Sequence, residues 1–163
     1  IHNEVTICDF GCVVSPLVMS YSISFAGYNQ RRRITRSVID WFISRQGLDR
    51  FSLFLDIIDR RCRNTDGCNG TCTTTGDLSR PRWFEIEMDN TQDDEEYIST
   101  LLHEMTHVEQ RLRNKHQQRF AWKDYSKWEG REIKDDIPYD DLPWEIEAFA
   151  QEKKLTQEYL KSL

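Results

Sequence analysis

The stretch LLHEMTHVEQ, residues 101–110, constrains the fold more than any other part of the chain. It lies in a segment that opens with acidic residues and closes with basic ones, as the helix dipole favours, and that segment predicts a helix. His103 and His107 share one face of this helix, one turn apart. The opposite face is apolar and carries Ile98, Leu101, Leu102, Met105 and Leu112. A histidine that packed in the core would lie among the leucines, so the pattern predicts a helix with a buried back and a separate histidine face.

The histidine face carries the pattern His-Glu-x-x-His at 103–107. Spacing of i and i+4 places both imidazoles on the same side of a helix, as two ligands of one ion require. Glu104 flanks that side, where a general base would reach a metal-bound water. The alternative is a pair of solvated histidines on a polar face. The predicted helix with its buried back favours zinc, with Glu104 as the candidate catalytic residue.

A catalytic zinc usually takes three protein ligands, and the chain offers three candidates for the third. They are His116, Glu145 and Glu147. On a continuous helix His116 would lie on the far side from His107, so it could bind the same ion only if the helix ended before it.

The last predicted helix begins at Pro143, because proline favours a first helical turn. On that helix Glu145 lies in the middle of the apolar face, whereas Glu147 shares the polar face. A buried carboxylate is costly unless it is paired or bound to a metal, so Glu145 needs either an ion or a buried arginine as its partner. This favours Glu145 as the third ligand, with Glu147 and His116 as the alternatives.

Two short motifs together carry a family resemblance. HEMTHVEQ, residues 103–110, followed by PWEIEAFA, residues 143–150, resembles the zincin metallopeptidases of the gluzincin type. It is most similar to small phage and bacterial metallopeptidases with an HExxH…PxExxA pattern, over about residues 91–155. The resemblance implies a minimal zincin-like fold and a Zn²⁺ site of His103, His107 and Glu145, with Glu104 as general base.

The same resemblance implies roles for residues around the ligands. Tyr139 would donate to the oxyanion, as a Tyr or His does in related enzymes, although it could equally be a loop anchor. Residues 82–89 would be the edge strand that aligns an extended peptide. Gln110 and Glu152 would support the ligands. The family often has Asp or Asn four residues after the ligand glutamate, where this chain has Phe149.

The remaining pattern predicts an α+β fold with a small mixed sheet, in one domain over residues 1–163. Its expected elements are one or two strands in the first 28 residues, a helix at 35–46 ended by Gly47, strands at 51–58 and 82–89, and a helix capped by Thr91 and Asp94. A cysteine-rich loop would run to about Ser79, and residues 117–142 are polar and predict irregular structure.

The charge balance bears on partners. The chain has 28 acidic residues against 22 basic ones, which argues against a dedicated nucleic-acid binder, although residues 29–36 and 59–63 are locally basic and leave nucleic acid open. No run is long enough for a transmembrane helix, and no basic residue precedes the apolar stretch 5–26 as in a signal peptide. We therefore expect a soluble protein with a protein or peptide substrate and no membrane partner, in a compartment that the sequence does not reveal.

Five cysteines leave three possibilities open: free thiols, a local disulfide and a structural zinc site. The five cysteines are Cys8, Cys12, Cys62, Cys68 and Cys72.

Two functions compete with a zinc-dependent peptidase. One is an SprT-like DNA-associated protease, which would use His116 as a third histidine. The other is a non-catalytic zinc-stabilised regulatory or binding module, against which Glu104 argues, because a closed structural site needs no general base.

Overall fold

A four-stranded mixed sheet forms one layer of the molecule. The computed structural model describes residues 21–28, 30–62, 67–119 and 125–163. The strands are β1 (Tyr21–Gly27), β2 (Leu53–Arg60), β3 (Gly70–Thr75) and β4 (Trp83–Asp89). Their order across the sheet is β1-β2-β4-β3, with β1, β2 and β4 parallel and β3 antiparallel at one edge.

The helices and a second, smaller sheet complete the fold. The helices are α1 (Arg32–Gln46), α2 (Asp94–Leu112) and α3 (Pro143–Ser162). Between α2 and α3 lie the antiparallel strands β5 (His116–Arg119), β6 (Tyr125–Trp128) and β7 (Arg131–Ile133), and a 3-10 turn (Tyr139–Asp141). The predicted α+β class with a mixed sheet is confirmed.

Alternation of side chains along the inner strands decides where the helices pack. In β2 the residues 53, 55, 57 and 59 are buried and their neighbours are more exposed, as expected for a strand covered on one face. The core forms on that covered face between the sheet and α1 and α2. Its members include Val38, Phe42, Leu55, Ile57, Phe84, Ile86, Leu101 and Met105.

Helix α3 packs along α2 and is anchored at its far end by α1. The Tyr159 ring meets Trp41 edge to face at 5.5 Å, and its hydroxyl donates to Ser37 Oγ at 2.9 Å. Near its start α3 has a fully buried alanine, Ala148, which allows close approach to α2. Pro143 is in the first turn, as predicted. The histidine face of α2 is thereby covered by α3.

Two segments predicted to be irregular form strands. The predicted cysteine loop contains β3, because its run of β-branched threonines suits a strand and pairs with β4. Residues 117–142 contain most of the small second sheet, whose strands are only three or four residues long and carry no clear alternation of polar and apolar residues. The predictions of irregular structure for the cysteine loop and for residues 117–142 were therefore wrong.

Two further expectations are corrected by the pairing and the capping. Strand β4 is not an edge strand, since it lies between β2 and β3, and β3 is the edge. The box that caps α2 is formed by Asp93 and Glu96, two residues after the predicted pair of Thr91 and Asp94: the Asp93 side chain accepts from the Glu96 backbone N–H at 2.9 Å. The hydroxyl of Thr91 donates instead to Asp89. Gly47 ends α1 in the left-handed conformation, as expected.

Three of the five cysteines lie in the described residues, and no disulfide joins any two of them: Cys62, Cys68 and Cys72. Cys8, Cys12 and any strand before Tyr21 lie outside the described residues. None of the helices in the described part of the chain has the length and apolarity that a membrane crossing requires.

The cap of α2 can be tested by substitution. Replacing Asp93 with alanine removes the acceptor for the Glu96 N–H, so the free energy of unfolding should fall by about 1 kcal/mol. Urea denaturation of Asp93→Ala beside Glu95→Ala, an exposed neighbour in the same turn, measures this. Equal stability of the two variants would contradict the capping box.

Candidate metal centre

Three side chains from α2 and α3 converge on one point. Both histidines come from consecutive turns of α2, and Glu145 comes from the first turn of α3. His103 Nε2 lies 3.2 Å from Glu145 Oε2 and 3.2 Å from His107 Nε2, and His107 Nε2 lies 3.4 Å from Glu145 Oε1. All three residues are buried. This buried group of His103, His107 and Glu145 could hold a metal ion.

The outer nitrogens of both rings are already occupied, which leaves the inner ones for an ion. His103 Nδ1 lies 3.0 Å from Glu152 Oε2, and His107 Nδ1 lies 2.9 Å from Gln110 Oε1. Oxygens of this kind accept, so each neutral ring donates from Nδ1 and turns the lone pair of Nε2 inward. Two lone pairs and a carboxylate then face one another, and only a proton or a cation can satisfy them. Nitrogen and oxygen donors in this number suit Zn²⁺.

Electrostatics in the group favour positive charge at its centre. Burial on its own lowers the pKa of His103, but hydrogen bonds to Glu145 and Glu152 outweigh it and raise the pKa to about 9. Burial on its own raises the pKa of Glu145, but the hydrogen bonds from His103 and His107 hold it well below its usual range. Without an ion, therefore, the group keeps a proton that a metal would have to displace.

Glu104 lies next to the ligands but is not one of the three. It is buried, and that burial raises the pKa of its carboxyl group above the usual value. Among the described residues its carboxylate has no hydrogen-bond partner. It lines a cavity of about 340 Å³ together with His103, Tyr139 and Glu152. A carboxylate in this position can exchange a proton with a molecule in the cavity.

Gly70, at the start of the edge strand β3, allows the backbone to approach Glu104. A Cβ built on Gly70 would lie 2.8 Å from Thr100 Cγ2 and 3.2 Å from Glu104 Oε1. Any larger residue would therefore push against the Glu104 side chain. The glycine thus places the free edge of the sheet directly beside the candidate base.

Two aromatic side chains border the cavity. Tyr139, in the 3-10 turn, is 58% exposed and its hydroxyl donates a hydrogen bond to Glu145. Phe149 is half exposed and its ring lies 4.7 Å from that of His103. Phe149 therefore covers His103 without supporting it through a hydrogen bond, and Glu152, one turn further along α3, accepts from His103 instead.

The two alternative third ligands lie elsewhere. His116 begins β5 and stacks on the Trp144 ring at 3.9 Å, outside the group of ligand atoms. Glu147 also lies outside the group. It is only partly solvated and is not a free carboxylate as its place on the polar face of α3 predicted, because it accepts from Gln110 at 2.9 Å and pairs with Lys115.

Sequence reasoning missed Gly70, Lys115 and the bonds made by Glu147. Gly70 was missed because an irregular loop was predicted around it. A glycine at the start of a run of β-branched residues is nevertheless a signal that another segment approaches the backbone closely. The pairing of Lys115 with Glu147 leaves no signal in sequence, because the two residues come from different elements. Glu152 was not missed: the sequence predicted that it supports a ligand, and it lies two turns beyond Glu145 on the same face of α3, where it accepts from His103.

No protein-family model, curated protein or solved structure matches this chain. The resemblance to zincin metallopeptidases therefore stands on the two short motifs alone and stays a prediction.

Removal of the carboxylate ligand should abolish tight metal binding. Loss of a residue that only supports a ligand costs ~10–100-fold in affinity, so Glu145→Ala should cost more than about a hundredfold. The matched control is Ile146→Ala, an exposed neighbour in the same turn. Competition with a chelator measures both variants, and near wild-type affinity of Glu145→Ala would exclude Glu145 as a ligand.

Metal affinity should also depend on pH. The raised pKa of His103, about 9, means that an ion must displace a proton at every lower pH. Apparent affinity for Zn²⁺ should therefore rise by about tenfold per pH unit between pH 6 and 8. Titration in metal buffers tests this, and an affinity independent of pH would show that no proton is displaced.

Proposed function

We propose that this protein is a zinc-dependent peptidase, acting on protein or peptide substrates. The observation that carries the proposal is the buried group of His103, His107 and Glu145 with a second carboxylate, Glu104, that lines a cavity beside it. A purely structural metal site is closed by its ligands and needs no free carboxylate beside it. Two imidazoles and one carboxylate are a donor set found in zinc peptidases.

The chemistry divides between the ion and the chain. A bound Zn²⁺ would supply a Lewis acid that polarises the scissile carbonyl and lowers the pKa of water. Glu104 would take the proton of a water molecule in the cavity and deliver it to the leaving amine. Its raised pKa suits both halves of that exchange, because a carboxyl group that is too acidic would return the proton poorly.

Tyr139 is the candidate donor to the oxyanion. Tyr139 lines the cavity, and its hydroxyl donates a hydrogen bond to Glu145. Because the side chain is largely exposed, it can turn towards a substrate oxygen without breaking a packed core. The role of Glu145 would then include holding Tyr139 near the reacting carbonyl.

The free edge of β3 is the candidate platform for the substrate backbone. Among the described residues β3 pairs with β4 on one side only, and its first residue, Gly70, lines the cavity next to Glu104. An extended peptide could add to this edge through main-chain hydrogen bonds. The candidate platform is thus β3 and not the strand at 82–89 that the sequence pattern favoured.

A second and larger cavity, of about 600 Å³, adjoins the first and shares Thr100, Phe149 and Glu152 with it. It offers room for substrate residues beyond the cleavage point. Its lining includes three carboxylates at the start of α2 and a single lysine, Lys153. We therefore expect basic side chains to be preferred over acidic ones on this side of the cleaved bond.

The decisive variant is Glu104→Gln. It should retain zinc, because Glu104 is not a ligand, and should lower cleavage by at least about a hundredfold, because the general base is lost. Zinc-loaded protein is incubated with a mixture of denatured proteins, and newly formed N-termini are identified by mass spectrometry. Glu109→Gln, on the same helix and paired with Arg113, is the matched control.

Two results would end the peptidase proposal: no new termini from zinc-loaded wild type, or unchanged cleavage by Glu104→Gln. The sequences around the cleaved bonds also test the expected preference for basic side chains.

A further inference from the structure

The amide of Gln110 can face His107 in one orientation only. Its nitrogen Nε2 donates to Glu147 Oε2 at 2.9 Å and to the backbone oxygen of Trp144 at 3.0 Å. Both partners can only accept, so the amide nitrogen must point to them. The oxygen Oε1 is then directed at His107 Nδ1, 2.9 Å away. Gln110 is 2% exposed, so water has little access to this side chain.

This orientation decides which nitrogen of His107 can bind an ion. An oxygen beside Nδ1 requires the ring proton on Nδ1 and leaves the lone pair on Nε2, which faces His103 and Glu145. A flipped amide would present N–H to Nδ1 and favour the other tautomer. In that tautomer a proton on Nε2 blocks the ligand atom.

Glu147 is in turn held by Lys115, which lies just after α2. Their side chains form an ion pair, and Lys115 Nζ also lies 3.7 Å from Glu129 Oε1 and 4.8 Å from the centre of the Trp128 ring. The Lys115 backbone bonds both to α2 and to the turn after β6, through Gln110 O at 2.9 Å and Glu129 N at 2.9 Å. The small sheet therefore fixes the lysine, and the lysine fixes Glu147.

The two ligand histidines are supported in different ways. His103 donates directly to a carboxylate, Glu152. His107 reaches a carboxylate only through the Gln110 amide, whose orientation is set by its two acceptors, Glu147 Oε2 and the backbone oxygen of Trp144. The first arrangement needs nothing further, whereas the second depends on whatever holds the amide.

We propose that Glu147 and Lys115 are positioning residues for the metal centre, which hold the Gln110 amide so that His107 presents Nε2 to the ion. This inference rests on the metal group and not on peptidase activity. The competing interpretation is an ordinary ion pair between α3 and the turn after α2, which would leave metal affinity unchanged.

The test uses metal affinity and the tautomer of His107. Glu147→Ala should weaken Zn²⁺ binding by about tenfold, and Lys115→Met by a smaller factor in the same direction. The matched control is Glu158→Ala, because Glu158 is similarly exposed on the same helix and pairs with Arg45. Chelator competition gives the affinities, and nitrogen-15 NMR of the imidazoles in the metal-free protein gives the tautomer populations.

The conservative variant provides the rescue. In Glu147→Gln an amide oxygen can still accept from Gln110 Nε2, so affinity should stay within about threefold of wild type. Equal affinities for wild type, Glu147→Ala and Glu158→Ala would overturn the proposal. So would a Glu147→Ala variant that loses affinity while Glu147→Gln loses as much affinity and as much of the Nδ1–H tautomer. Failure of the peptidase proposal would leave all these readings intact, since none of them involves a substrate.

Discussion

The structure depends on one electrostatic constraint: three electron-pair donors meet inside a helix interface. Nitrogen and oxygen atoms of His103, His107 and Glu145 lie within 3.4 Å of one another, too close for another side chain to separate them. Such a group is stable only around a proton or a cation. The packing of α3 on α2 is therefore coupled to the proton or cation that the three side chains enclose. The other features of the site either hold these side chains in place or give access to them.

The side chains that hold the two histidines in place lie on both sides of the ligand group. Glu152 accepts from His103, and Gln110 accepts from His107 while donating to Glu147 and to the backbone before Glu145. Every one of these side chains lies on α2 or α3. Pulling the two helices apart would break the ligand group and its supports together, so the metal centre and the helix interface form a single cooperative unit.

The sheet forms the accessible side of the site. The parallel strands place β4 inside, and in the part of the chain that the structure describes the antiparallel β3 is the edge of the sheet beside the cavity. Gly70 lets that edge approach α2 closely, because a Cβ at this position would lie 2.8 Å from Thr100 Cγ2 and 3.2 Å from Glu104 Oε1. A buried group that could hold a metal ion, next to a strand edge, is the arrangement on which the peptidase proposal rests.

The sequence by itself determined the elements whose signal is local. The helix over 94–112, the helix from Pro143 and the burial of Glu145 follow from periodicity and capping chemistry, since these depend on neighbours three or four residues away. Only the tertiary structure decided the rest. Strand β3 forms by pairing with β4, and the position of Glu147 is fixed by an ion pair with Lys115, which lies outside α3. Contacts of this kind join residues far apart in the chain, and no periodicity within either segment encodes the partner.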